Sequence, residues 1–197
     1  MKIAFFGGSF DPPHLGHKKI IEYCISFFDK VLIVPNKESV ESDKKNTASA
    51  EDRINMLNSM LNSKSVEVID FEIKSDKRNF TYYTIKYLEQ QYPNEELFMI
   101  IGKDQMCNLY NWYKYDYIFN NINIVCFDRK TDMHHEEYSL SDYKKKVDYI
   151  DFNYRSSSSD IKNKLLDFKN NKDLSLELLC LLDENVLEYI IKNKLYI

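Results

Sequence analysis

Lys2-Ile3-Ala4-Phe5-Phe6-Gly7-Gly8-Ser9-Phe10-Asp11-Pro12-Pro13-His14-Leu15-Gly16-His17 opens the chain with a strand, a turn and a helix start in quick succession. Lys2 to Phe6 is a short apolar run that fits a buried first strand. Gly7-Gly8 permits a tight turn with close backbone approach, and Pro12-Pro13 fixes the chain as it enters a helical pattern that begins at Leu15. Only four glycines occur in 197 residues, against about seven per cent in ordinary sequences, and three of the four fall in this run. Glycine is therefore used where no other residue fits. A strand, a glycine turn and a helix start together aim backbone N–H groups and the positive end of the helix dipole at one spot, which makes that spot an anion site. His14 and His17, three apart, stack on one helical face toward it, and Ser9 adds a hydroxyl. Taken singly, the glycines could be a plain turn and the histidines a surface pair. The joint pattern points to nucleotide phosphates, although neither a Gly-x-Gly-x-x-Gly fingerprint nor a Gly-Lys-Ser/Thr phosphate loop is present.

Working outward, Val31-Leu32-Ile33-Val34 reads as a buried strand that stops at Pro35, followed by a polar loop from Asn36 to Thr47. Ala50 to Leu61 has helical spacing, with Ser49 as its cap and Arg53 near its start. Val66 to Phe71 reads as a strand, Thr84 to Tyr92 as a helix ended by Pro93, and Leu97 to Ile101 as the most apolar strand, running into Gly102. Ile122 to Phe127 and Val147 to Phe152 read as further strands. This alternation predicts an α/β fold, a doubly wound Rossmann-like parallel sheet. From Ser157 the pattern is helical, so the expected organisation is one domain over residues 1–197, with an α/β core at 1–155 and a small C-terminal helical appendage at 156–197.

A net charge of −4 and a pI near 5.6 argue against nucleic-acid polymers and acidic membrane surfaces as partners, so the anion site must make its own positive field. No apolar run approaches the roughly 18 residues of a membrane span, and the N-terminus does not resemble a signal peptide. Cys24, Cys107, Cys126 and Cys180 are widely spaced, without a Cys-x-x-Cys, and read as buried thiols of a reducing compartment. The expected location is cytoplasmic, and a homo-oligomer is left open. Arg129 to Lys146 is polar, and its His134-His135-Glu136-Glu137 reads as part of a solvated loop rather than a metal cluster.

Ligands of open parallel sheets bind beyond the carboxyl ends of the strands, and several unusual residues fall there. Gly102-Lys103-Asp104 follows the most apolar strand; Asp104 suits either a helix cap or a ribose hydroxyl. Trp112, the sole tryptophan, stands beside Tyr113 and suits either a core position or stacking on a planar heterocycle. Ser157-Ser158-Ser159-Asp160-Ile161-Lys162 opens the first C-terminal helix, as a cap or as a set of hydroxyls and a cation for phosphate and purine edges.

The run from Gly7 to His17 resembles the nucleotidylyltransferase superfamily signature, Gly-Gly-Ser/Thr-Phe-Asp-Pro-x-His-x-Gly-His. Val34-Pro35-Asn36, Arg53 with Met56-Leu57, Phe80-Thr81-x-x-Thr84-Ile85, Ile100-Ile101-Gly102-Lys103-Asp104, Trp112, the 157–162 segment and Tyr189-Ile190 with Leu195-Tyr196 sharpen this. They resemble the bacterial-type nicotinate mononucleotide adenylyltransferase family over nearly the whole chain. The resemblance implies adenylyl transfer from ATP to nicotinate mononucleotide, giving nicotinate adenine dinucleotide and pyrophosphate in NAD biosynthesis. It implies His14 and His17 as catalytic residues, and Gly7, Gly8, Ser9, Phe10, His14, His17, Gly102, Asp104, Ser157, Ser159 and Lys162 on the ATP side. For the mononucleotide it implies Ser9, Lys44, Phe80, Thr81, Trp112, Tyr113 and Arg129. Mg²⁺ would come with ATP, without protein side chains as ligands. Phosphopantetheine adenylyltransferase and a non-catalytic nucleotide sensor are the alternatives; Trp112, Phe80-Thr81 and the chain length weigh against the first, and the intact histidines against the second. The chain departs from the family pattern in four places: the loop after Pro35 lacks Pro-Pro-His-Lys and leaves Lys44 or Lys45 as its basic candidate, Lys162 stands for arginine, Phe80 for tyrosine, and Arg129 is not followed by Pro-Gly.

Overall fold

A computed structural model describes residues 1–38, 47–76, 78–128, 147–152, 154, 157–171 and 176–197. Six strands, β1 (Lys2–Gly8), β2 (Lys30–Pro35), β3 (Val66–Val68), β4 (Glu96–Gly102), β5 (Asn123–Asp128) and β6 (Val147–Asp151), form one sheet in the order β3-β2-β1-β4-β5-β6. Every pairing is parallel. Four consecutive residues of β1, Ile3 to Phe6, are buried, as a strand covered on both faces requires.

The side chains of β1 divide between the two faces with period two. Ala4 and Phe6 join one core with residues of α1 (Leu15–Cys24), α2 (Ala50–Met60), α7 (Ser158–Asn171) and α9 (Glu184–Asn193). Ile3 and Phe5 join the other, with α4 (Thr81–Gln91), α5 (Lys103–Asn108) and α6 (Tyr115–Asn121). Two short helices, α3 (Phe71–Lys74) and α8 (Leu176–Leu179), and a 3-10 turn at Leu109–Asn111 complete the set among the described residues. The C-terminal helices pack onto the first face. Tyr189 donates to Asp52 Oδ1 at 3.0 Å, the Leu15 amide donates to the Leu181 carbonyl at 2.9 Å, and Tyr196 reaches back to Asp11.

The chain runs outward from β1 to β3, then returns across to β4, so strand order reverses between β1 and β4. That is the switch point at which a crevice opens beyond the strand ends.

Three elements differ from the sequence expectation. The strand expected at 66–71 ends at Val68, and Phe71 opens α3 instead. Its partner β2 holds only three residues in register, and Phe71 turns to stack on Tyr87 with centroids 4.1 Å apart. The helix expected from Thr84 starts one turn earlier, at Thr81. Asp104 does not cap the helix after β4: Gly102 holds that position, and Asp104 lies in the first turn of α5. Of the four cysteines expected to be buried, Cys24 and Cys126 are, whereas Cys107 is partly exposed and Cys180, just beyond α8, is exposed. Among the described residues no helix is long and apolar enough to cross a membrane.

Candidate active site

The loop from Gly8 to His14 is built around an aromatic plug. Phe10 has φ 49, a left-handed conformation uncommon outside glycine, and its ring is 1% exposed. Edge contacts to Phe6 at 5.5 Å and His17 at 5.0 Å hold it there. Gly8 is glycine for this reason, since a Cβ would come within 3.2 Å of that ring. Gly16 has the same kind of role: a Cβ there would meet the His14 imidazole at 2.9 Å, in the space the ring needs to fold back over the helix start.

His14 is extended and caps α1. Its Nδ1 accepts from the Gly16 amide at 3.1 Å, while its own amide donates to His17 Nδ1 at 3.2 Å. The two rings stack with centroids 3.7 Å apart. A nitrogen that accepts from a backbone N–H carries no proton, so the ring proton of each neutral imidazole sits on Nε2.

Asp11 is the node beneath this loop. Its carboxylate accepts from the Thr47 and Ala48 amides at 2.8 and 2.9 Å, from the Tyr196 hydroxyl at 2.7 Å and from Lys162 Nζ at 3.0 Å. Burial pushes the carboxyl up, but the two amides, the tyrosine and the lysine outweigh it and hold it below its ordinary value. Tyr196 is in turn pushed far up by burial and by Asp11. Arg53, 1% exposed, donates to the Ser9 carbonyl at 2.6 Å and the Asn36 carbonyl at 2.7 Å. Asn36 itself donates to the Gly8 carbonyl at 2.9 Å, so one guanidinium ties the loop to the end of β2.

Beyond the strand ends lies a cleft of about 720 Å³ with one wall from each face of the sheet. Gly7, Gly8, Ser9, Phe10 and His17 form one wall, expected from the sequence to meet phosphates, Asn79, Phe80, Thr81, Trp112 and Tyr113 form an aromatic wall, and Ile100 to Gly102 with Asp104 lie between. Phe80 stacks on Tyr113 at 4.8 Å, and the Arg78 guanidinium sits 5.1 Å from the Phe80 ring centre. Trp112 Nε1 is buried with no partner among the described residues, a donor left for whatever fills the cleft. Glu72, also in the lining, accepts from Thr84 Oγ1 at 2.5 Å, and burial pushes it up to about 7.

The structure thus brings Gly7, Gly8, Ser9, Phe10, His17, Phe80, Thr81, Gly102, Asp104, Trp112 and Tyr113 to one cleft. His14 stands behind His17, 2% exposed. The serine segment is arranged differently from the expectation. Ser157 accepts from the Asp160 amide at 3.1 Å and donates to Asp160 Oδ2 at 2.7 Å, as a helix cap does. Ser158 donates to the Pro12 carbonyl at 3.0 Å, Ser159 is exposed, and Lys162 is turned to Asp11. None of Ser157, Ser159 and Lys162 lines the cleft, although Ser158 fixes their helix against the phosphate loop. Lys44 and Arg129 lie outside the described residues.

Glu72, Arg78 and Asn79 were not singled out by the sequence, and neither was the role of Asp11 as a hub. The available signal was a lone acid, Glu72, between Phe71 and Ile73, a setting in which a carboxyl is either exposed or held. Tyr196 reaches Asp11 across 185 positions of sequence, a separation at which pattern carries no information.

The cytidylyltransferase-like family model matches residues 5–164. A protein of Fusobacterium nucleatum subsp. nucleatum named probable nicotinate-nucleotide adenylyltransferase is 35% identical over 181 residues, covering 89% of this chain and 91% of that relative. One of the same name from Dictyoglomus turgidum is 31% identical, over 100% of this chain and 96% of the relative. The solved structure of Plasmodium falciparum nicotinic acid mononucleotide adenylyltransferase complexed with NaAD superposes with a TM-score of 0.77 at 20% identity, over 99% of this chain and 97% of that one. At that identity the shared property is the fold. The match over four fifths of the chain and the two bacterial relatives together place it in the cytidylyltransferase-like family, among the nicotinate-nucleotide adenylyltransferases.

Proposed function

We propose that this chain transfers the adenylyl group of ATP to nicotinate mononucleotide, releasing pyrophosphate, as a step of NAD biosynthesis. The observation that carries the reading is a single cleft with the His17 imidazole and a glycine turn on one wall, His14 stacked behind His17, and Trp112, Phe80 and Tyr113 on the other. Phosphate chemistry needs the first wall; a flat heteroaromatic acceptor suits the second.

In this reading a 5′-phosphate oxygen of the mononucleotide attacks the α-phosphorus of ATP. One P–O bond forms, the bond from that phosphorus to the bridging oxygen breaks, and the electron pair leaves with pyrophosphate. No protein nucleophile takes part. His17 supplies an Nε2–H donor to the phosphate oxygens with His14 stacked behind it as its support, the Gly8 and Ser9 backbone receives the acceptor phosphate, and Asp104 faces a ribose. The work of the protein is alignment and charge stabilisation.

Mg²⁺ belongs to this reading as a companion of the ATP phosphates, where it would neutralise charge on the departing pyrophosphate. The groups on the phosphate wall are imidazole, hydroxyl and backbone amide, a set suited to phosphate oxygens rather than to a hard dication, and the carboxylate of the same loop, Asp11, is engaged by four donors. Four free cysteines support a reducing compartment, and we place the chain in the cytoplasm.

Pyrophosphate release with ATP and, in turn, nicotinate mononucleotide, its amide and phosphopantetheine tests the proposal. Turnover is expected with the nicotinate acceptor; turnover confined to phosphopantetheine, or none with any acceptor, overturns it.

A further inference from the structure

Three carboxylates line the cleft, and they are not alike. Glu38 and Asp104 are exposed, whereas Glu72 is 8% exposed. From the short helix α3, Glu72 grips the far side of the aromatic wall at two points. Thr84, in the first turn of α4, donates to its Oε1. The Asn79 amide leans on the same carboxyl and draws its pKa down, while Asn79 Nδ2 stays buried without a partner at full hydrogen-bonding geometry. Between those two points lie Phe80 and Thr81, the residues that face the cleft.

Resting on the function proposed above, we propose that Glu72 is a positioning residue that fixes the 79–81 turn for the acceptor ring, and that its charge state sets how well the cleft accepts a ring carboxylate relative to a ring carboxamide. A neutral Glu72 leaves the wall free of negative charge; an ionised one places a like charge in the lining against a carboxylate and leaves a carboxamide nearly indifferent. Burial lifts the carboxyl to about 7, so both states are populated near neutrality. The other charged or titratable groups facing the region are Arg78 in its own segment, Lys37 beside the Ser75 carbonyl, Glu38, Asp104 and His17 in the lining. The Asp70–Lys74 pair is exposed beside it. All of these are common to wild type and to a Glu72→Gln variant, so the comparison isolates Glu72.

The test uses the emission of Trp112, the sole tryptophan, in the full chain, titrated with nicotinate mononucleotide and with its amide at about pH 6 and about pH 8. ATP affinity is followed by calorimetry, and thermal melts are recorded for each variant. Wild type is expected to lose about fivefold in affinity for the nicotinate form between the two pH values, because a like charge worth about tenfold goes from about one tenth to about nine tenths ionised, with the amide changing little. Glu72→Gln, which can still accept from Thr84, should flatten that dependence. Glu72→Ala should weaken both mononucleotides at both pH values and spare ATP. An unchanged pH slope in Glu72→Gln, or equal losses for ATP and mononucleotides, overturns the proposal; so does a wild type that binds neither mononucleotide. Should Glu72→Ala fail to fold, the wild-type and Glu72→Gln series decide. Binding of mononucleotide without adenylyl transfer would sink the proposed function alone.

Discussion

The amide of His14 donates to Nδ1 of His17 at 3.2 Å, and with the Gly16 amide on Nδ1 of His14 each ring is fixed in one tautomer by the backbone it caps. The cap of α1 and the orientation of the donors are thus one arrangement. The arrangement holds the His17 ring in the cleft lining with the His14 ring stacked behind it, so on the proposed function the imidazole that meets a phosphate is held in place before the phosphate arrives.

His17→Ala should therefore lower kcat by about 10²- to 10³-fold, as losing a donor to transition-state charge does, and should also cost about 1 kcal/mol of stability, because it removes the acceptor of the His14 amide. His14→Ala should lose comparable activity and also about 1 kcal/mol of stability, because it removes an N-cap. Since the two rings are stacked on each other and act as a unit, the double variant should lose less than the product of the single losses. Steady-state kinetics with thermal melts check this, and wild-type turnover in His17→Ala would remove the pair from the mechanism.

Arg53 is a structural counterpart on the other side of the loop. Replacing it by methionine would leave the Ser9 and Asn36 carbonyls without their donor, at about 1–3 kcal/mol for each buried unsatisfied group. Urea unfolding should show a loss of roughly 3 kcal/mol for Arg53→Met. Arg53→Lys should be intermediate, because an ammonium lacks the planar fork that meets two carbonyls at once.

The legible part of this molecule was what local pattern dictates. The strand, turn and helix at 2–17, the apolar strands and the alternation between them follow from burial and periodicity, and they fix the sheet and its switch point. The glycine-lined wall of the cleft followed with them, because a Cβ would crowd the Phe10 ring at Gly8 and the Tyr154 and His14 rings at Gly16. What was not legible depends on where side chains turn after packing. Lys162 looked like a free cation one turn into a helix, and its pairing with Asp11 exists only because α7 lies on the phosphate loop. Asp104 suited a helix cap and a ribose hydroxyl equally, and the extended backbone of Gly102 takes the cap position. Glu72 became buried because the edge strand β3 ends early and α3 folds inward.

Trp112→Ala should raise KM for the mononucleotide by about tenfold with a smaller effect on kcat, since contact with an unreacting ring stabilises ground and transition states alike. Trp112→Phe should recover most of the stacking but not the Nε1 donor, whose buried position predicts a residual deficit of a few-fold. Full recovery in Trp112→Phe would show that Nε1 plays no part.

Glu72 also leaves a mark on stability. Its folded value of about 7 exceeds the ordinary 4.5, so the folded state holds the proton more tightly, and stability falls as pH rises from about 4.5 to about 7 and is level above. Glu72→Gln removes that dependence. Relative to wild type, the variant should gain roughly 3 kcal/mol between about pH 4 and about pH 8, the value of a shift of this size. Urea unfolding at the two pH values measures it, and a gap that stays constant with pH would mean that Glu72 ionises normally.

Lys162 and Asp11 carry the last prediction, and here the sign is opposite. The Asp11 carboxyl is held below its ordinary 3.8, so the stability it contributes is present above that value and is lost as pH falls through the folded one. Lys162, with 27% of its side chain exposed against 3% for Asp11, is one of four donors, and its removal leaves the other three. Lys162→Met should therefore cost about 1–2 kcal/mol at neutral pH, with the deficit closing once Asp11 is protonated in both proteins. ATP affinity should fall only modestly, because the ammonium is already engaged within the protein. Lys162→Arg should restore stability and tighten pyrophosphate binding beyond wild type, since a guanidinium can keep one N–H on Asp11 Oδ2 and present another to a phosphate oxygen. Unfolding from about pH 3 to about pH 7, with ATP and pyrophosphate affinities of both variants, decides the matter. A collapse of ATP affinity in Lys162→Met without any loss of stability would mean that the lysine leaves Asp11 for the nucleotide, and that its place in this structure is a resting one.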